Sequence, residues 1–259
     1  MRGCWIFIFQ KEPTVELKNK VALIAGGARM GEETACMLAR KGCRIVFTYR
    51  NSGRNAELAA KKVRSLQCET LLVKADLSRR QDVVRLMEQI RRKFGRLDIV
   101  VNMASIYEKR ELAKLRPADL EDNLGCNLES AYWLSLEAFR LMKKSGSGRI
   151  IHFADWTARS GRPRYKGYIP YYISKAGILG LTEVLALEFS PRVLVNAIAP
   201  GPILPPEGST AREIKAVIQS TPLKKWGGAA EIAKTVFFLV QTEFITGECI
   251  RVDGGRHLY

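Results

Sequence analysis

The 259-residue chain carries 42 Lys and Arg against 26 Asp and Glu, a formal charge of +16, with 47% hydrophobic and 26% charged residues. That balance excludes a collagen-like or low-complexity chain and fits a globular protein with a sizeable core. No stretch approaches the ~20 apolar residues of a membrane span. The cations are spread along predicted helices, apart from local concentrations at Arg91-Arg92-Lys93 and Arg159 to Lys166. Solvated helix faces and attraction of a phosphorylated or acidic ligand account for this better than nucleic-acid binding.

Residues 1 to 18 read as an N-terminal extension. Trp5 to Phe9 is apolar, but it is too short for a signal-peptide core and runs into Gln10-Lys11-Glu12-Pro13 without a small-residue cleavage site. A cytoplasmic protein is expected. Six scattered cysteines, with no CxxC or Cys/His cluster, read as reduced thiols and give no metal site.

From Lys20 onward short β-branched runs alternate with amphipathic stretches, the pattern of a parallel sheet with helices on both faces. Strands are predicted at Val21 to Ala25, Arg44 to Tyr49, Thr70 to Lys74, Leu97 to Val101, Arg149 to Ala154, Val193 to Ile198 and Cys249 to Val252. Helices are predicted at Glu32 to Lys41, Arg54 to Leu66, Arg79 to Phe94, Leu124 to Lys143, Tyr171 to Phe189 and Ala229 to Val240. Seven strands without an intervening linker predict one domain over residues 19–259. The longest irregular segment, about residues 200–222, contains Pro-Gly-Pro, Pro-Pro-Glu-Gly and a short helical patch near Ala211 to Ile218, and is the candidate substrate flap.

The first strand runs into Ala25-Gly26-Gly27-Ala28-Arg29-Met30-Gly31 and then a helix, an arrangement in which glycines let a pyrophosphate approach a helix N-terminus. At the end of the second strand, where an NAD site would show a carboxylate, the chain reads Tyr49-Arg50-Asn51-Ser52. Arg50 can pair with a 2′-phosphate and nothing there repels it, so NADP(H) is the expected cofactor. Arg29 offers a second cation beside the phosphates.

Tyr171 and Lys175 lie one helical turn apart on one face. An ammonium beside a phenol lowers its pKa, and the pair is therefore read as an acid catalyst and the group that tunes it.

Together with Asp76-Leu77, Asn102-Met103-Ala104-Ser105, Asn127, Asn196 to Gly201 and Val252-Asp253-Gly254-Gly255, these motifs, in this order, resemble the short-chain dehydrogenase/reductase family over about residues 18–256. The resemblance implies a doubly wound Rossmann fold, a seven-stranded parallel sheet flanked by helices, and a homotetramer. It implies that Asp76 binds the adenine amino group, with Leu77 beside it, and that Asn102 and Ala104 support the adenosine. By the same likeness Gly26, Met30 and Gly31 lie along the dinucleotide, Pro200, Gly201 and Ile203 lie at its nicotinamide end, and Lys175 also holds the nicotinamide ribose. Asn127 would hold a water linking Lys175 to solvent.

One departure narrows the branch. Asp155 stands where the family usually has a catalytic Ser, and with Asn102-Met103-Ala104-Ser105, Arg29 in the glycine loop and Pro200 to Gly208 this is similar to the pteridine reductases. There an Asp and a Tyr relay a proton to a ring nitrogen while NADPH delivers hydride, and Tyr107 matches the region of an aromatic that stacks on the pterin. The substrate is thus expected to be a small molecule with a C=N or C=O bond, a dihydropterin or alternatively a 3-oxoacyl thioester, contacted by Tyr107, Asp155 and Tyr171. Two spacings differ from the family. Gly26 to Gly31 is one residue shorter than the family's common spacing, and the gap from Asp155 to Tyr171 is three residues longer than usual. The latter puts Tyr168 at the usual distance, but only Tyr171 has a Lys four residues on, so an insertion is read within Arg159 to Tyr168. A degenerate, dinucleotide-binding protein without turnover is the reading of another class.

Overall fold

The computed structural model describes residues 15–258. The apolar run Trp5 to Phe9 and Cys4 lie outside the described residues. Leu17, counted above with the extension, is buried against the main core, and Gln241 Nε2 donates to the Val15 carbonyl at 3.0 Å. Packing of the domain therefore starts by Val15, not at residue 19.

The strands are β1 (Val21–Gly26), β2 (Arg44–Tyr49), β3 (Thr70–Lys74), β4 (Ile99–Met103), β5 (Gly148–Phe153), β6 (Val193–Pro200) and β7 (Cys249–Val252). They form one parallel sheet in the order β3-β2-β1-β4-β5-β6-β7. The helices are α1 (Ala28–Arg40), α2 (Gly53–Arg64), α3 (Arg80–Phe94), α4 (Pro117–Asn123), α5 (Ser130–Ser145), α6 (Trp156–Ser160), α7 (Ile169–Phe189), α8 (Ala211–Gln219) and α9 (Ala229–Gln241).

The period of two along each strand builds two cores. Ala22, Ile24, Ile45, Phe47, Val101 and Ile151 face α1, α2 and α9, whereas Val21, Leu23, Val46, Val100 and Ile150 face α3, α5 and α7. Each fully buried Ile, Leu or Val contributes roughly 1.5–3 kcal/mol. The strand order reverses between β1 and β4, so the crevice beyond their carboxyl ends is where such a sheet takes a ligand.

Several boundaries differ from the predicted ones for physical reasons. β4 starts at Ile99, two residues later than predicted: the Asp98 carboxylate, instead of an upstream backbone carbonyl, accepts from Val21 N at 2.9 Å and from Arg96 Nε at 2.8 Å, while the Asp98 backbone still bonds Val21 O and Arg149 N. It runs on to Met103 because Gly26 pairs with it. The stretch predicted as one helix from Leu124 is one turn of π-helix, Leu124–Glu129, leading into α5. α7 starts two residues early, at Ile169, with Pro170 in its first turn, where its missing N–H costs nothing. The short helices α4 and α6 carry too few residues for periodicity to reveal them.

Candidate active site

The shortened glycine loop is absorbed by the helix, which starts at Ala28 rather than at Glu32. Gly26, Gly27 and Ala28 all have positive φ, at 69°, 79° and 27°. A Cβ on Gly27 would lie 2.3 Å from Met103 Sδ, and one on Gly31 2.5 Å from the Gly26 carbonyl oxygen. No side chain caps α1 and no acid sits in its first turn, so its N-terminal N–H groups and positive dipole end are left for an anion.

This loop borders a cavity of about 320 Å³ lined by Arg50, Asn51, Ser52, Asp76, Leu77 and Ala104. Burial works against the Asp76 carboxylate, but hydrogen bonds from Ser78 Oγ at 2.7 Å and Ser78 N at 3.1 Å, with Arg50 and Arg79 nearby, hold its pKa below the usual value. Arg50 Nη1 donates to Cys126 Sγ at 3.0 Å and is without a paired carboxylate among the described residues. Asn102 is buried and turns its Oδ1 to Ala104 N at 3.2 Å, shaping the wall instead of lining it. A glycine cradle, an uncapped helix end, a carboxylate and a free guanidinium fit a phosphorylated dinucleotide.

Arg29 departs from expectation. Its Nη2 donates to the Pro205 carbonyl at 2.9 Å, across to the flap, and it does not line the phosphate cavity. Ile203 also differs, since its side chain is 4% exposed in the core and only its flanking residues face the cleft.

A second cavity of about 480 Å³ continues from Met30 and Met103 past Tyr171, Lys175, Pro200 and Gly201 to the flap residues Leu204, Pro206, Ile214 and Val217. Tyr171 and Lys175 come from α7, and Asp155 from the N-cap of α6. The Asp155 Oδ1 accepts from Thr157 N at 2.7 Å and Thr157 Oγ1 at 2.5 Å, which leaves Oδ2 to accept from the Tyr171 hydroxyl at 3.1 Å. Burial, then the charge and hydrogen bond of Asp155, push the Tyr171 phenol well above its ordinary pKa.

The predicted lowering of that pKa by Lys175 is therefore corrected. Lys175 Nζ lies 5.8 Å from the Tyr171 ring centroid and spends a hydrogen bond of 2.7 Å on the Phe153 carbonyl. Burial brings Lys175 itself down to about 8, against an opposing pull from Asp155.

Asn127 is set on the π-turn, a distortion often found at functional sites. Its Oδ1 accepts from Ile106 N at 2.8 Å, and its Nδ2 donates to Ile106 O at 3.2 Å and Ser174 Oγ at 2.9 Å. Both amide hydrogens are thus taken by protein groups, and Asn127 ties the loop after β4 to α7.

Tyr107 reaches the cleft, but its face stacks on Tyr168, with centroids 4.5 Å apart at 12°, and it meets Tyr171 edge-on at 4.7 Å. Tyr168 thus belongs to an aromatic wall, while Tyr171 meets Asp155. Sequence reasoning missed Trp156, Tyr165, Trp226 and Arg256, all lining the same cleft. Only the Asp155-x-Thr157 cap is a local signal, marking α6, whereas Arg256, directly after the Val252 to Gly255 motif, has no signal of its own.

A family described as Enoyl-(Acyl carrier protein) reductase matches residues 25–257. The chain is 29% identical to the 3-oxoacyl-[acyl-carrier-protein] reductase FabG of Staphylococcus epidermidis, covering 93% of this chain and 100% of that one. It is 31% identical to the 3-oxoacyl-[acyl-carrier-protein] reductase of Synechocystis, covering 94% and 99%. Among solved structures, a Serratia marcescens short-chain dehydrogenase/reductase superposes with a TM-score of 0.86 at 31% identity, covering 93% and 99%. A Burkholderia cenocepacia short chain dehydrogenase in complex with NADP gives 0.85 at 29%, again covering 93% and 99%.

Proposed function

The chain belongs to the short-chain dehydrogenase/reductase family, and from that premise we propose that it is an NADPH-dependent reductase of a C=N bond in a small heterocycle, similar to the pteridine reductases. The observation that carries this reading is the hydrogen bond from the Tyr171 hydroxyl to Asp155, in the position where the family usually has a serine.

Bound NADPH supplies the hydride. Arg50, Asn51 and Ser52 are suited to its 2′-phosphate, the N-terminus of α1 at Gly26 to Gly31 to its pyrophosphate, and Asp76 and Leu77 to its adenine. Lys175, anchored on Phe153 O, would hold the nicotinamide ribose, and Pro200 and Gly201 would border the same end of the cofactor. Tyr171, a phenol and so protonated near neutral pH, would give its proton to the substrate nitrogen whose neighbouring carbon accepts the hydride. Asp155 then returns a proton to the phenolate from solvent. A carboxylate in this place opposes a developing alkoxide but assists proton delivery to a basic nitrogen.

A second reading, reduction of a 3-oxoacyl thioester, is favoured by the names of the curated relatives. An NADPH-oxidation screen of dihydropterins against oxoacyl thioesters separates the two, with turnover expected on the dihydropterin and lost in Tyr171→Phe. Turnover confined to the thioester transfers the assignment to the second reading, and NADPH retained without consumption of either makes the protein a non-catalytic dinucleotide binder. The exposed Val184 and Leu187 of α7 suit association into a homo-oligomer.

A further inference from the structure

The substrate cleft holds one guanidinium that the mechanism above does not use. Arg256 lies in the 3-10 turn Arg256–Leu258, and its position is fixed from two sides. Asp253 ties the turn, its Oδ1 accepting from Gly255 N at 3.0 Å and its Oδ2 from His257 N at 3.0 Å and His257 Nδ1 at 2.7 Å. Trp156, next to Asp155, lies under the guanidinium, 5.5 Å from ring centroid to Cζ. Stacking of this kind occupies the face of the cation and leaves its in-plane N–H groups directed outward.

Those groups have no paired carboxylate among the described residues. The two carboxylates of the same cleft are engaged elsewhere, Asp155 by Thr157 and Tyr171, and Glu213 by Thr210 N and Oγ1, each at 2.8 Å. Lys175, the other cation of the cleft, is bonded to Phe153 O. Arg256 reaches the Tyr165 hydroxyl, but no anion of the cleft neutralises its charge, and a charged donor near low-dielectric walls gains from an anionic acceptor.

We propose that Arg256, backed by Trp156, forms an anion-binding subsite, so that the substrate carries a carboxylate at a point separate from the bond that is reduced. The subsite rests on the reading of this cleft as the reductase active site. A planar fork of donors backed by an aromatic ring matches a carboxylate bidentately, and the neighbouring Tyr165 and Trp156 rings suit an attached planar or apolar group.

The test is a calorimetric or ligand-observed NMR titration of the full chain, loaded with NADP, using benzoate and benzamide, which share a ring and differ in charge. Benzoate is expected to bind at least about tenfold tighter. Arg256→Gln should erase that preference without changing benzamide binding, and Arg256→Lys, which keeps the charge but not the planar fork, should weaken benzoate severalfold. Equal affinities in the wild type, or benzoate binding unchanged in both variants, overturns the subsite. Melting curves identify a variant that fails to fold, in which case the other decides. If no compound is reduced yet benzoate still requires Arg256, the reductase reading falls and the subsite stands; turnover without any benzoate preference gives the reverse.

Discussion

Tyr171 and Asp155 share a hydrogen bond of 3.1 Å, whereas Lys175, one turn further along α7, turns its ammonium to the Phe153 carbonyl. The phenol is therefore governed by burial and a carboxylate, and it is kept protonated.

Replacing Asp155 with Asn tests this directly. Asn still caps a helix, so stability should change by less than about 1 kcal/mol. Asp155 raises the Tyr171 pKa, so removing its charge lowers that pKa and moves the alkaline limb of the pH–rate profile to lower pH. Reduction of a C=N substrate should fall by about 10²-fold or more. An alkaline limb that stays in place would separate Asp155 from the phenol.

Arg50 should set the preference for the phosphorylated cofactor. Arg50→Asp is expected to weaken NADPH by about tenfold or more while leaving NADH within a few-fold, read as KM for each. An unchanged ratio rejects the assignment.

Lys175 makes stability depend on pH. Its folded pKa is about 8 against an ordinary 10.5, so between those values the unfolded chain binds more protons and stability rises with pH. The cost of burying the ammonium is fully present below pH 8 and is relieved as pH approaches 10.5. In chemical denaturation the wild type should gain on Lys175→Met by up to about 3 kcal/mol across that window; a constant difference contradicts the assigned burial.

Gly27→Ala should destabilise the protein by about 1–3 kcal/mol and abolish dinucleotide binding. The new Cβ meets Met103 Sδ at 2.3 Å, and the backbone there has φ of 79°. Calorimetric titration with NADP and a melting curve read the two effects separately, and undiminished binding would show that the loop tolerates a side chain.

Sequence alone determined the alternation of seven strands with helices and the glycine turn, because both rest on local periodicity and on the conformational freedom of glycine. It also chose Tyr171 over Tyr168, since the i to i+4 partner of each is written in the chain. Tertiary structure decided which charge reaches which atom. Lys175 points to Phe153, Arg29 crosses to Pro205, Asn127 is consumed by Ile106 and Ser174, and Arg256 meets Trp156 from the far end of the chain. Such pairings depend on side-chain directions and burial across elements distant in sequence, which no spacing of residues along the chain encodes.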